Sequence, residues 1–170
     1  VVSAILAQVR LGGDEAVRAL TAEHDGVAID VLRVPDGEVR SALARAPRPL
    51  RRALEVAHRR ISEYHQHETI DPGPFRSGGI RVEDLRRPVE RAGCYAPGGR
   101  ARYPSTVLMC AAPARVAGVE QIVLCVPPAA AIAGVDEVYR IGGAQAIAAM
   151  AYGTESVAKV DVIAGPGNLY

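Results

Sequence analysis

The chain has 170 residues, 20 basic against 19 acidic side chains for a formal net charge of +1, 49% hydrophobic residues, only 4% aromatics and no Trp. Near-neutral charge gives no electrostatic case for nucleic acid or an anionic membrane as partner, no apolar run reaches the ~18 residues needed to span a bilayer, and no signal peptide is visible. The length suits one domain or one and a half, with a core of Ala, Val, Leu and Ile whose small side chains let helices lie close on a sheet, as in an α/β architecture.

Val2, Ile5, Leu6 and Val9 fall at helical spacing, and Gly12-Gly13 closes that helix. Asp14 suits the N-cap of a second helix carrying Val17 and Leu20. Asp25-Gly26 is a turn, Ile29 to Val34 reads as a short strand, and Pro35-Asp36 opens a helix with Val39 and Leu43 inward. Leu50, Leu54, Ala57, Ile61 and Tyr64 then form a narrow apolar seam, with Arg51, Arg52, Glu55, Arg59, Arg60 and Glu63 opposite. Such a helix suits packing at a domain or subunit interface, its charged side being a solvated face. His65 and His67 stand two apart, hence on different faces, and read as exposed polar side chains rather than a metal pair.

Asp71 to Pro74 and Ser77-Gly-Gly79 read as a loop. Strand candidates follow at Arg81 to Val89 and Glu90 to Tyr95, charged throughout, as in an exposed ribbon leading into the main domain. Pro104 to Gly118 is apolar nearly all round and reads as a buried helix, with Pro113 predicting a kink or two abutting helices near Ala112. Cys94, Cys110 and Cys125 have no CxxC spacing and an odd count; small buried hydrophobes in a reducing interior is the favoured reading, a redox or nucleophilic role the other.

Gln121 to Val126 is a continuous apolar run, as in a strand covered on both faces, ended by Pro127-Pro128. A parallel return to Val138 needs a crossover of ~10–12 residues, usually helical, and only Ala129 to Ala133 is available for that helix; a segment missing near Pro128 would account for this. Val138 to Ile141 runs through Gly142-Gly143 into a small-residue helix, Ala144 to Tyr152. Glycines let the backbone approach a ligand, and the helix start offers unpaired N–H groups and a positive dipole end to phosphate. A last strand, Val160 to Ala164, ends in Gly165-Pro-Gly-Asn168. Three strand–turn units, ending at Gly99, Gly143 and Asn168, should gather at the carboxyl edge of an open parallel sheet, where ligands bind. The chain divides on this reading into an N-terminal helical region with a short strand, residues 1–79, and an incomplete nucleotide-binding domain, residues 80–170. It starts inside a helix without Met and stops just after a turn, and so reads as a piece of a longer polypeptide or the ordered portion of one.

Gly93-Cys-Tyr-Ala-Pro-Gly-Gly99, Tyr103-Pro-Ser-Thr-Val-Leu-Met109, Pro113-Ala-Arg-Val-Ala-Gly118, Val135-Asp-Glu-Val-Tyr139, Gly142-Gly-Ala-Gln-Ala146, Ala151-Tyr-Gly-Thr-Glu155, Lys159-Val-Asp161 and Gly165-Pro-Gly-Asn168 resemble histidinol dehydrogenase in order and wording. The resemblance covers nearly the whole chain and is densest from Glu90 onward. It implies an α/β, Rossmann-like open parallel sheet with helices on both faces, of the aldehyde-dehydrogenase-like kind, in a cytoplasmic, zinc-dependent homodimer. The family oxidises L-histidinol to L-histidine through the aldehyde with two NAD⁺. Tyr95, Gln145 and Asn168 match its NAD contacts, and Pro97, Gly98, Gly99, Gly142 and Gly143 form the turns beside them. Its zinc ligands and the Glu-His pair for proton transfer are expected beyond Tyr170, so this stretch is expected to hold no catalytic or metal-ligating residue and to be inactive alone. The alternatives are a sister enzyme oxidising another small alcohol, such as a sulfonated diol, and a non-catalytic dimerisation or nucleotide-binding module.

Overall fold

A computed structural model describes residues 1–68, 71, 73–97, 104–125 and 135–167. Its elements are α1 (Val2–Asp25), α2 (Asp36–Arg45), α3 (Arg48–Glu68), β1 (Phe75–Ser77), β2 (Ile80–Val82), β3 (Arg91–Tyr95), α4 (Pro104–Val116), β4 (Gln121–Cys125), β5 (Glu137–Tyr139), α5 (Gly143–Tyr152) and β6 (Val162–Ala164). The central sheet runs β5-β4-β3-β6 with every pair parallel. The chain is thus α/β, with helices on both faces.

Alternation along β4 divides the core. Ile122 and Leu124 join Ala92, Cys94, Val138 and the α4 residues Val107 and Ala111 on one face. Val123 and Cys125 join Tyr139, α5 and the α1 residues Val9, Val17 and Leu20 on the other. All four β4 residues from Ile122 to Cys125 are fully buried, as a continuous apolar run requires of a strand covered on both faces. Small residues allow the close fit: a Cβ on Gly93 would lie 2.7 Å from Met150 Sδ of α5. The parallel return from β4 to β5 does form. The residues that make that crossover, 126–134, lie outside the described part, as does the predicted helix Ala129 to Ala133.

Several local expectations are corrected, though not the first. Gly12-Gly13 does separate two helical segments: Gly13 is non-helical (φ 51°, ψ −137°) and α1 is broken there, with Val17 and Leu20 on the second segment. Asp14 is not an N-cap there. Its carboxylate is buried among Thr154 and Ser156, and its own N–H is taken by Glu155. The predicted strand Ile29 to Val34 makes only one antiparallel bridge, Arg33 to Tyr139, flanked by Val34 N–H to Val138 O at 2.7 Å and Arg140 N–H to Leu32 O at 2.9 Å. Pro35 has no N–H with which to extend that ladder.

The apolar seam of α3 packs toward α4, but no residue of α3 is fully buried and Tyr64 is 61% exposed. His65 bonds Glu68 locally. Ser77-Gly-Gly79 is a hairpin turn, not a loop. Gly78 and Gly79 both have positive φ (55° and 81°), which a two-residue turn between twisted strands requires, and they join β1 to β2 as an exposed ribbon. The candidate Arg81 to Val89 shrinks accordingly to Ile80–Val82. β3 is no exposed ribbon either: it lies between β4 and β6, and its middle residues are buried despite the flanking charges. α4 is one helix that runs past Pro113, and only one face of it is buried. Met109, whose carbonyl loses the Pro113 N–H, is 65% exposed on the solvent side. No described helix is long and apolar enough to cross a membrane.

Candidate functional site

Parallel strands bring their carboxyl ends to one edge, and three chain segments meet there. Tyr95 ends β3. Its hydroxyl accepts the backbone N–H of Gly143, at the start of α5, at 3.1 Å. Beyond β6, Gly165 presses on Tyr95 so closely that a Cβ on it would stand 2.3 Å from the Tyr95 carbonyl oxygen. The Ala96 N–H, one residue on, reaches Cys125 O at the end of β4 (3.2 Å).

The α5 start is built to be open. Gly142, in extended conformation (φ −118°, ψ −169°), is its N-cap and supplies no side-chain bond to the first-turn N–H groups. Gly143 has φ 59°, a left-handed conformation that a side chain would strain, and a Cβ there would meet Gln145 Oε1 at 2.6 Å. The helix dipole and uncapped N–H groups suit an anion. Gln145 is 1% exposed, and its Nε2 has no hydrogen-bond partner among the described residues. A buried amide donor without a partner costs about 1–3 kcal/mol, so this atom is poised to donate to something else.

Burial pushes the Tyr95 phenol above its usual range, which outweighs the lowering by the Gly143 N–H. The phenol therefore stays protonated near neutral pH and keeps a hydrogen to donate while accepting from Gly143.

Of the residues singled out from sequence, Tyr95, Gly142, Gly143 and Gln145 come together, with Pro97 half-buried just beyond Tyr95. Gly98, Gly99 and Asn168 lie outside the described residues. The sequence reading missed the grip of Gly165 on Tyr95 and the anchoring of α5 from behind. There Asp14 accepts from Thr154 Oγ1 (2.6 Å), Ser156 N–H (3.2 Å) and the Ser156 hydroxyl, in the turn that follows the helix. Gly12-Gly-Asp14 and Gly153-Thr-Glu-Ser156 carried that signal, but nothing local in either says that they meet.

Among the described residues no group of three or more His, Cys, Asp or Glu is placed to hold a metal ion. They offer zinc no donor set.

The family model described as histidinol dehydrogenase matches residues 1–170. The chain belongs to the histidinol dehydrogenase family. It is 55% identical to the histidinol dehydrogenase of Parasynechococcus marenigrum, over 99% of this chain and 42% of that protein. With the histidinol dehydrogenase of Prochlorococcus marinus strain MIT 9313 it shares 50% identity, over 98% of this chain and 40% of the relative. The crystal structure of histidinol dehydrogenase from Elizabethkingia anophelis superposes with a TM-score of 0.88 at 32% identity, over 99% of this chain and 42% of that one. The chain therefore spans about two-fifths of the length of the histidinol dehydrogenases it matches. The match to the P. marenigrum protein runs over 184 positions against 170 residues here, so at least 14 of them (184 − 170) face gaps in this chain.

Proposed function

We propose that this chain is the cofactor side of an NAD-dependent histidinol dehydrogenase, which oxidises L-histidinol to L-histidine through the aldehyde in the closing steps of histidine biosynthesis. The observation that carries the reading is the buried Gln145 Nε2, which has no hydrogen-bond partner among the described residues, beside an α5 start without a side-chain cap, in a chain of this family. Bound NAD⁺ supplies the hydride acceptor. The first-turn N–H groups of α5 hold the pyrophosphate, where the helix dipole favours its charge. Gln145 donates to ribose or phosphate, and its burial excludes the water that would otherwise compete. Tyr95 offers a ring face and its remaining O–H. Pro97 stands just beyond Tyr95, and Gly98, Gly99 and Asn168 belong to the same proposed set of cofactor residues on the family resemblance alone.

The sheet is half of an aldehyde-dehydrogenase-like Rossmann arrangement, with residues 1–79 as an N-terminal helical region and 80–170 as the nucleotide-binding part. The working enzyme is a cytoplasmic homodimer requiring zinc. Its metal ligands and proton-transfer pair come from sequence outside this stretch, so these 170 residues alone do not turn over. The test supplies the intact protein with zinc, NAD⁺ and L-histidinol and follows NADH absorbance. A rise supports the reading. A rise with a sulfonated diol but not with histidinol reassigns the substrate, and cofactor binding without turnover of any small alcohol leaves a nucleotide-binding module.

A further inference from the structure

Gly165 is exposed, yet it stands against Tyr95 at the centre of the candidate site. β6 runs parallel to β3, with Ala164 opposite Cys94. One position further on, Gly165 meets Tyr95. A Cβ on Gly165 would lie 2.3 Å from the Tyr95 carbonyl oxygen, 2.9 Å from the Tyr95 Cβ and 3.0 Å from its carbonyl carbon. These atoms belong to the backbone or the root of the side chain, so none can rotate aside as the tip of a long side chain does.

The other side of Tyr95 is closed. Tyr95 is in register with Cys125 of β4, and the Ala96 N–H bonds Cys125 O at 3.2 Å. Ile122 to Cys125 are fully buried in a close-packed core, which leaves β4 no room to retreat. Pro166 follows Gly165 with a fixed φ and no N–H, so it cannot donate to a continued ladder. The end of β3 is thus wedged between a rigid strand and a backbone without a side chain. That wedge seats the Tyr95 hydroxyl 3.1 Å from the Gly143 nitrogen. The distance is near the long end of the N–H···O range, so a shift of a few tenths of an ångström weakens the bond.

We propose, resting on the cofactor reading of Tyr95, that Gly165 is a positioning residue for the cofactor site. Its bare backbone sets where the Tyr95 ring and hydroxyl stand and, through the Gly143 N–H, where α5 starts. A methyl group at Gly165 can be relieved in two ways. Either Tyr95 is pushed toward β4, or the chain after β6 swings away, and in both cases Tyr95 loses its seat. β6 is an edge strand with no fully buried residue, and Gly165 is exposed, so the substitution leaves the core packing alone.

The intact protein is compared with Gly165→Ala by two readouts. The first needs no cofactor and follows the Gly143 amide proton by nuclear magnetic resonance. Tyr95→Phe removes the acceptor and marks the shift that loss of this bond causes, and Gly165→Ala should move the same signal in the same direction. The second is calorimetric titration with NAD⁺, whose binding Gly165→Ala should weaken about 2- to 10-fold, the worth of one displaced hydrogen bond. In a Tyr95→Ala background the same substitution should change the affinity less than about twofold, because residues that act through one another are not additive. Should Tyr95→Ala not fold, Tyr95→Phe serves as the background. An unmoved Gly143 signal, an unchanged affinity, or an equal loss in both backgrounds would overturn the proposal. So would a Gly165→Ala protein that does not fold, since the contact would then be structural only. If the Gly143 signal moves but neither Tyr95→Ala nor Gly165→Ala alters NAD⁺ binding, the cofactor reading of Tyr95 is what fails, and the role of Gly165 falls with it.

Discussion

Asp14 and Ser156 are tied twice, by the Ser156 N–H at 3.2 Å and by its hydroxyl, across 142 positions of sequence. Asp14 N–H donates to the intervening Glu155 at 2.7 Å, so the bend in α1 is docked in the turn behind α5. With Tyr95 on its first N–H, α5 is held at both ends. The helix that starts at the carboxyl edge of the sheet thus owes its position to a segment near the other end of the chain.

Gly13→Ala should destabilise the protein by about 1–3 kcal/mol. Its φ of 51° strains any side chain, and a Cβ would lie 2.4 Å from Glu155 Oε2. Thermal unfolding of wild type and variant measures this; an unchanged midpoint would show that the docked bend is dispensable.

Asp14→Asn should cost stability near neutral pH and progressively less in acid. Burial alone would raise the Asp14 pKa, but hydrogen bonds from Ser156 and Thr154, together with the Arg18 charge, hold it below the usual carboxylate range. A depressed carboxylate contributes stability above its unfolded pKa of about 3.9 and loses it as pH falls through the lower folded value. Unfolding curves of the two proteins should therefore converge below about pH 4. A constant gap across that range would refute the assignment.

Removing Glu137 should cost about 3 kcal/mol. Its carboxylate pairs through both oxygens with Arg91, the two side chains being 19% and 11% exposed, and Arg91 Nε already lacks a partner among the described residues. Breaking a largely buried pair leaves one charge uncompensated. Arg91→Lys should not substitute, since a single ammonium cannot match both oxygens. Denaturant midpoints of Glu137→Ala and Arg91→Lys test both statements.

Gln145→Met separates binding from folding. It keeps nearly the same volume and removes a buried donor that has no partner among the described residues. The free protein should be no less stable, or more stable by about 1 kcal/mol. NAD⁺ should bind about 2- to 100-fold more weakly, the worth of one or two hydrogen bonds. Calorimetric titration gives the affinity, and an unchanged value would remove Gln145 from the site.

Local pattern carried much of this protein. The apolar run of β4, the Gly142-Gly143 entry into α5 and the seam of α3 are legible because each is set by neighbours three or four residues away. Wording recognisable over the whole chain pointed to the family. The errors share a cause. β3 carries charges on either side and reads as exposed, yet pairing with β4 and β6 buries it. Asp14 suits a cap because capping is a local bond, and it was drawn instead to partners 140 residues away.

Sequence alone therefore determined most of the helices, the buried strand β4 and the Gly142-Gly143 turn, since backbone sterics and periodic burial act over a few residues, whereas it overcalled Ile29 to Val34 and missed the β1–β2 hairpin. Only the tertiary structure decided that Tyr95, Gly143 and Gly165 meet at one edge, that Gln145 Nε2 is sealed without a partner among the described residues, and that Asp14 reaches Thr154 and Ser156. Those contacts join groups far apart in the chain, and parallel pairing and close packing choose them from alternatives that local preference leaves equal.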